Sequence, residues 1–279
     1  MQFLKKILDF YIFSNIHVAV AGFCITKITM IKYGIDQSYT PIFVGLSIII
    51  SYNFIRFYEI KTGRLNWFKS WYFEHRKELI ILSGIASVFL GYILFFTDFY
   101  LKSIFVLFPF AFMTLFYVVP LFNWRKVEFS FRYFPSIKIF SIAVAWAGIC
   151  VFFPLYEAKI ELSFDVYLDF FQRIALLIAI TIPFDIRDIT SDSKELKTLP
   201  QVLGIFATKL IGTYLLFFIL ILEYFKKTSS FSEILIWVFI LGLTGIFLWF
   251  STPKRTRFYT AFWVESIPII WCIILFYFN

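Results

Sequence analysis

The chain has 279 residues, 61% of them hydrophobic and only 16% charged, with a mean hydropathy of +0.83. A soluble domain carries roughly 45–50% apolar and about 25% charged residues, so an ordinary soluble enzyme and a disordered chain are both excluded. The charge is biased, with 26 Lys+Arg against 18 Asp+Glu and a formal net of +8; in so apolar a chain this reads as membrane orientation rather than as nucleic-acid binding.

A membrane helix needs roughly 20 predominantly apolar residues. Nine stretches qualify: 9–31, 40–58, 79–97, 101–122, 137–156, 168–184, 203–225, 233–251 and 258–278. The expected fold is therefore an all-α polytopic bundle of about nine transmembrane helices, one domain over 1–279. With the amino terminus in the cytoplasm, 16 Lys+Arg fall in the inside connections and 5 in the outside ones. That bias predicts N-in and C-out, in a bacterial inner (cell) membrane. The first span is long for a signal-peptide core and no A-x-A-like site follows it, so it is read as a retained helix that doubles as the targeting signal. His17 and Lys27 lie ten residues apart in it, on different faces. The connection 59–78 mixes Trp67, Phe68, Trp71, Tyr72 and Phe73 with basic residues, the composition of an interfacial cap. Glu157, Glu161, Asp165 and Asp169 in the connection 157–169 read as a solvated face. Cys24, Cys150 and Cys272 lie inside spans, too scattered for a metal site or a disulfide framework. Glu265 and Ser266 precede Pro268 in the last span; a kink there would let the acid line a cavity or pair with a base such as Lys138.

Carboxylates near membrane depth are costly and are functional candidates by default. The segment Pro183-Phe184-Asp185-Ile186-Arg187-Asp188-Ile189-Thr190-Ser191-Asp192 closes the sixth span. Asp185, Asp188 and Asp192 are spaced i, i+3, i+7, which on a continuous helix places them on one face. Three like charges there repel one another unless a cation joins them. Mg²⁺, which takes one or two carboxylates plus phosphate oxygens, suits such an array; a solvated, Asp- and Ser-rich helix end is the alternative.

Downstream come Lys197-Thr198-Leu199-Pro200-Gln201-Val202-Leu203-Gly204. A D-x-x-D-x-x-x-D array followed by K-T-L-P-x-x-L-G resembles the second aspartate motif of the UbiA superfamily of intramembrane prenyltransferases. Tyr117-Val118-Val119-Pro120, trailed by Arg125 and Lys126, is similar to that family's Y-x-x-P segment. The family's first aspartate motif, N-D-x-x-D-x-x-x-D, corresponds to Asn53-Phe54-Ile55-Arg56-Phe57-Tyr58-Glu59-Ile60-Lys61. Asn53 matches, but Phe54, Phe57 and Lys61 stand where the aspartates would be.

The resemblance implies transfer of an isoprenoid from its diphosphate to a lipid-soluble acceptor. It implies Mg²⁺ held by Asp185, Asp188 and Asp192, and Tyr117 near the reacting carbon. Asn53, Arg56, Lys61, Lys126, Arg132, Arg187 and Lys197 would meet the diphosphate. The degenerate first motif leaves a non-catalytic isoprenoid- or partner-binding protein of the same fold as an alternative, with a small ion-coupled transporter as a third. The partners implied are a prenyl diphosphate, the acceptor and the lipid bilayer, with no nucleic acid; oligomeric state is not encoded legibly.

Overall fold

The computed structural model describes residues 2–63, 65–116, 119, 122–124, 127–129, 137–193 and 196–278, with the backbone alone for 2, 66, 122–124, 127–129 and 137. Among the described residues helices dominate, and the strands are two paired segments of three residues each. Each of the nine apolar stretches carries a helix. In chain order the helices are α1 (Gln2–Phe13), α2 (Ile16–Lys32), α3 (Tyr39–Lys61), the short α4 (Lys69–Glu74), α5 (Arg76–Phe96) and α6 (Ile104–Phe116). They continue with α7 (Ile137–Glu157), α8 (Phe164–Arg187), the short α9 (Leu199–Leu203), α10 (Ile205–Tyr224), α11 (Phe231–Trp249) and α12 (Ile267–Phe278). Strands β1 (Phe122–Trp124) and β2 (Val127–Phe129) pair antiparallel between α6 and α7.

Among the described residues, seven helices are long and apolar enough to cross a membrane, or eight if the bent pair α1–α2 is one span. The stretch expected at 101–122 is a shorter apolar helix, Leu101–Phe116. The first expected span is broken by 56° where Asn15 adopts a left-handed conformation (φ 67°). A six-residue π-helix, Tyr259–Val264, leads into α12.

Helix α8 is the axis of the bundle: 72% of its apolar window is buried, against 17% for α5. It packs on α7 and α10, while α2 packs on α3, α7 and α12. Close approach needs small residues, because van der Waals packing drives helix association in lipid. Gly148 on α7 is such a point, since the Phe110 ring of α6 occupies the space a Cβ would take. Gly212 on α10 does the same for Leu248. The many exposed Phe, Ile and Leu side chains on α5, α10 and α11 then face lipid, where they cost nothing.

Candidate functional site

Helix α3 presents two chemically distinct faces. Phe54, Phe57 and Lys61, at i, i+3 and i+7, form one stripe; the two phenylalanines are 45% and 42% exposed, and Lys61 is exposed as well. Tyr52, Ile55, Arg56 and Glu59, at i, i+3, i+4 and i+7, form another and line a cavity of about 180 Å³. Its other walls come from α6 (Met113, Thr114) and α7 (Ser141, Ile142, Ala145, Trp146). Tyr52 meets Trp146 edge to face, with ring centroids 6.1 Å apart. The positions that would carry the first-motif aspartates thus point away from the cavity, whereas Arg56 and the buried Glu59 face it. Tyr52 and Glu59 are site residues that motif matching misses; the signal for them is their helical spacing around Arg56.

Asn53 does something else. It accepts a hydrogen bond from Asn15 Nδ2 at 2.8 Å and donates to Ser83 Oγ at 3.1 Å. It therefore ties the α1–α2 break to α3 and α5, and it does not line the cavity. The expected diphosphate role for Asn53 is replaced by a packing role.

The aspartate array also departs from the expected arrangement. Helix α8 ends at Arg187; Asp188 is its C-cap, and Asp192 follows in a turn held by its N–H on the Asp188 carbonyl at 2.8 Å. The i, i+3, i+7 argument requires a continuous helix, so it fails beyond Asp188. Instead the three carboxylates split between two basic partners. Lys138 Nζ, on the first turn of α7, lies 3.0 Å from Asp185 Oδ1 and 3.2 Å from Asp192 Oδ2. Arg187 holds Asp188 with two parallel bonds, Nε to Oδ1 at 2.8 Å and Nη2 to Oδ2 at 2.5 Å, and donates through Nη1 to the Thr260 hydroxyl. Among the described residues no group of three carboxylate, imidazole or thiol side chains is gathered to hold a metal ion. The donor set does not fit the expected Mg²⁺ site: an ammonium fills the point on which Asp185 and Asp192 converge.

The downstream segment has a local structural account. Gln201 Oε1 accepts the Thr198 N–H at 3.0 Å, and Pro200 sits in the first turn of α9. Gln201 Nε2 reaches back to the Asp192 carbonyl at 3.2 Å. Gly204, at φ 82°, supplies the left-handed turn into α10 that a side-chain-bearing residue adopts only with strain. Lys197 is exposed, with φ 42°.

Other basic groups gather over the cavity end of the bundle. The connection after α3 folds back as a 3₁₀ turn (Asn66–Phe68) and α4, packed on Phe13 through Phe68 and Trp71. The Arg56 guanidinium sits 5.4 Å from the Phe68 ring centre, and Arg257 sits 3.2 Å from that of Trp67. Burial holds the Arg257 guanidinium below its ordinary value, and the positive charge on Arg187 and Arg56 lowers it further while Asp188 opposes them. Three arginines therefore share one field at this end. His17, in α2, is fully buried and accounted for by packing: Nδ1 meets Tyr11 Oη at 3.1 Å and Nε2 the Phe262 carbonyl at 3.0 Å. Tyr117, Lys126 and Arg132 lie outside the described residues.

No family model, no curated protein and no solved structure matches the chain.

Proposed function

We propose that this protein is a UbiA-like intramembrane prenyltransferase of nine spans, which takes an isoprenoid diphosphate at the Arg56 cavity and passes the isoprenoid to a lipid-soluble acceptor. One observation carries the reading: Arg56, inside the degenerate first motif, presents a guanidinium to a cavity whose other walls are mostly apolar and aromatic, with Glu59, Thr114 and Ser141 as the polar exceptions. In the reaction the C1–O bond breaks and its electron pair leaves with the diphosphate. Arg56, with Arg187 and Arg257 in the same field, stabilises that leaving charge, as a fork of N–H donors suits phosphate oxygens. The faces of Tyr52 and Trp146 shelter the allylic cation. The acceptor's electron pair forms the new bond, and Glu59 is the carboxylate on the wall to take the proton released. No step is assigned to Mg²⁺, because Lys138 already supplies the cation shared by Asp185 and Asp192. The positive-inside bias supports a cytoplasmic position for this end.

A second reading, a non-catalytic isoprenoid-binding protein of the same fold, is favoured by that ammonium bridge and by the outward-facing Phe54 and Phe57. Reconstituted protein with radiolabelled prenyl diphosphates of several lengths and a panel of lipid-soluble aromatic acceptors separates the two. The expected result is diphosphate release that survives chelation of Mg²⁺ and falls at least a hundredfold in Arg56→Gln. Saturable binding without turnover would establish the second reading, and neither binding nor turnover would overturn both.

A further inference from the structure

The opposite end of the bundle holds a second polar cluster, where sequence reasoning expects a solvated acidic face. Glu157, Asp165 and Asp169 are buried instead. Asp169 Oδ1 receives Lys32 Nζ at 2.8 Å and Lys226 Nζ at 2.7 Å, and Oδ2 receives the Tyr33 hydroxyl at 2.6 Å. Glu223 receives Lys226 at 2.6 Å, Gln172 at 2.9 Å and the Ser229 hydroxyl at 2.7 Å. Asp165 receives the Thr228 N–H at 3.1 Å, the Thr228 hydroxyl at 2.8 Å and the Lys227 N–H at 3.4 Å. Each of these three acids is thus met by three donors. Lys226 in turn donates to Asp169, Glu223 and the Gln172 carbonyl oxygen.

Arg173 is not matched in this way. It is the tenth residue of α8, about 14 Å along a helix that rises 1.5 Å per residue, and it is only 3% exposed. Its guanidinium lies 3.9 Å from the ring centre of Trp271 and 6.0 Å from that of Trp237. Its Nε and Nη1 have no hydrogen-bond partner. Buried polar groups are nearly always bonded, and a charged side chain at membrane depth marks a binding site or pathway by default. Arg173 lines a cavity of about 30 Å³ together with Lys32, Asp169, Trp237 and Trp271. Glu233, which is exposed, also lines it, and its carboxylate accepts the Ser230 N–H at 3.3 Å. The remaining walls, Ile28, Ile236 and Leu275, are apolar.

We propose that the Arg173 cavity binds the carboxylate head of an organic acid, with hydrocarbon attached. What the cavity lacks is an acceptor: Asp169, the buried acid on its wall, is already met by three donors, whereas Nε and Nη1 of Arg173 are unmatched. A planar fork of donors suits a carboxylate. The volume accommodates about two oxygen-sized atoms, which fits a carboxylate. The apolar walls beyond the head select a hydrocarbon neighbour. The source is either a fatty acid from the bilayer or a water-soluble acid. The site lies at the other end of α8 from the Arg56 cavity and does not depend on the prenyl-transfer reading.

Protein in phosphatidylcholine nanodiscs is titrated with 9,10-dibromostearate, whose bromines quench tryptophan fluorescence, and in parallel with its methyl ester. The expected result is saturable quenching by the acid, with the ester at least tenfold weaker. Arg173→Gln weakens the acid at least tenfold, and Arg173→Lys weakens it less. Displacement by millimolar acetate assigns the site to water-soluble acids; saturable binding that acetate leaves alone assigns it to fatty acids. Both sustain the proposal. Equal quenching by acid and ester, or no saturable change with either the acid or acetate on folded protein, overturns it. Should Arg173→Gln fail to fold, the acid-against-ester comparison on the unaltered protein decides alone.

Discussion

Replacing Lys138 with alanine removes an ammonium that joins Asp185 and Asp192. The two contacts, at 3.0 and 3.2 Å, are each worth about 5 kcal/mol of gross Coulomb attraction at an effective dielectric of about 20. Burying the charges offsets much of that, but removal of one partner leaves the others uncompensated, at a cost of about 3–5 kcal/mol for a buried pair. Asp185 is almost fully enclosed, with its side chain 3% exposed, whereas Lys138 and Asp192 are each 15% exposed. The lower figure, about 3 kcal/mol, is therefore the expected loss. At roughly 2–4 °C per kcal/mol, the unfolding midpoint drops by about 6–12 °C, read by tryptophan fluorescence in detergent at constant protein and salt. Lys138→Met combined with Asp185→Asn and Asp192→Asn removes the uncompensated charge and recovers most of the loss. Millimolar Mg²⁺ stabilises Lys138→Ala, whose two carboxylates have lost their cation, and leaves the unaltered protein unchanged. A Lys138→Ala midpoint within about 3 °C of the parent, roughly 1 kcal/mol, would refute this reasoning. So would an equal shift by Mg²⁺ in both proteins.

Asn53→Ala breaks the bonds to Asn15 and Ser83 and costs about 1–2 kcal/mol by thermal unfolding, while prenyl-diphosphate affinity measured on the folded fraction stays the same. Arg56→Gln shows the converse, a loss of affinity with a small change in midpoint; equal effects on both readouts would mean that the two residues are not divided between packing and binding. Gly148→Leu drives a side chain into the Phe110 ring and costs at least about 2 kcal/mol, seen as reduced yield of monodisperse protein, whereas Gly242→Leu, with open space around it, leaves the yield unchanged. Gln201→Ala frees the Thr198 N–H and the Asp192 carbonyl and lowers stability by about 1 kcal/mol, measurable as a midpoint shift of about 2–4 °C.

The membrane character and the placement of the apolar helices were legible in the chain, and so was the helix-start chemistry around Thr198 and Gly204, which the family resemblance passed over. These depend on residues within about 20 positions of one another: hydropathy summed over a window, a cap three residues from its partner, a glycine at a left-handed turn. Legible too, though overlooked by motif matching, was the cavity face of α3, since Tyr52, Ile55, Arg56 and Glu59 repeat at helical spacing. The aspartate array was not legible. Its regular spacing predicts one face only while the helix continues, and α8 stops at Arg187. The cation that Asp185 acquires sits 47 positions earlier, on α7. Asp169 shows the same limit: as a sequence feature it joins a solvated acidic run, but α8 carries it inside, between Lys32 and Lys226 from two other helix ends. Arg173 is, in the sequence, one charge within the apolar stretch 168–184; Trp237 and Trp271 close over it from α11 and α12. Window hydropathy determines which segments enter the bilayer. The partner that each buried charge finds there is decided by helix packing, because in a medium with little water a charge is matched by whatever side chain the neighbouring helix brings within about 3 Å.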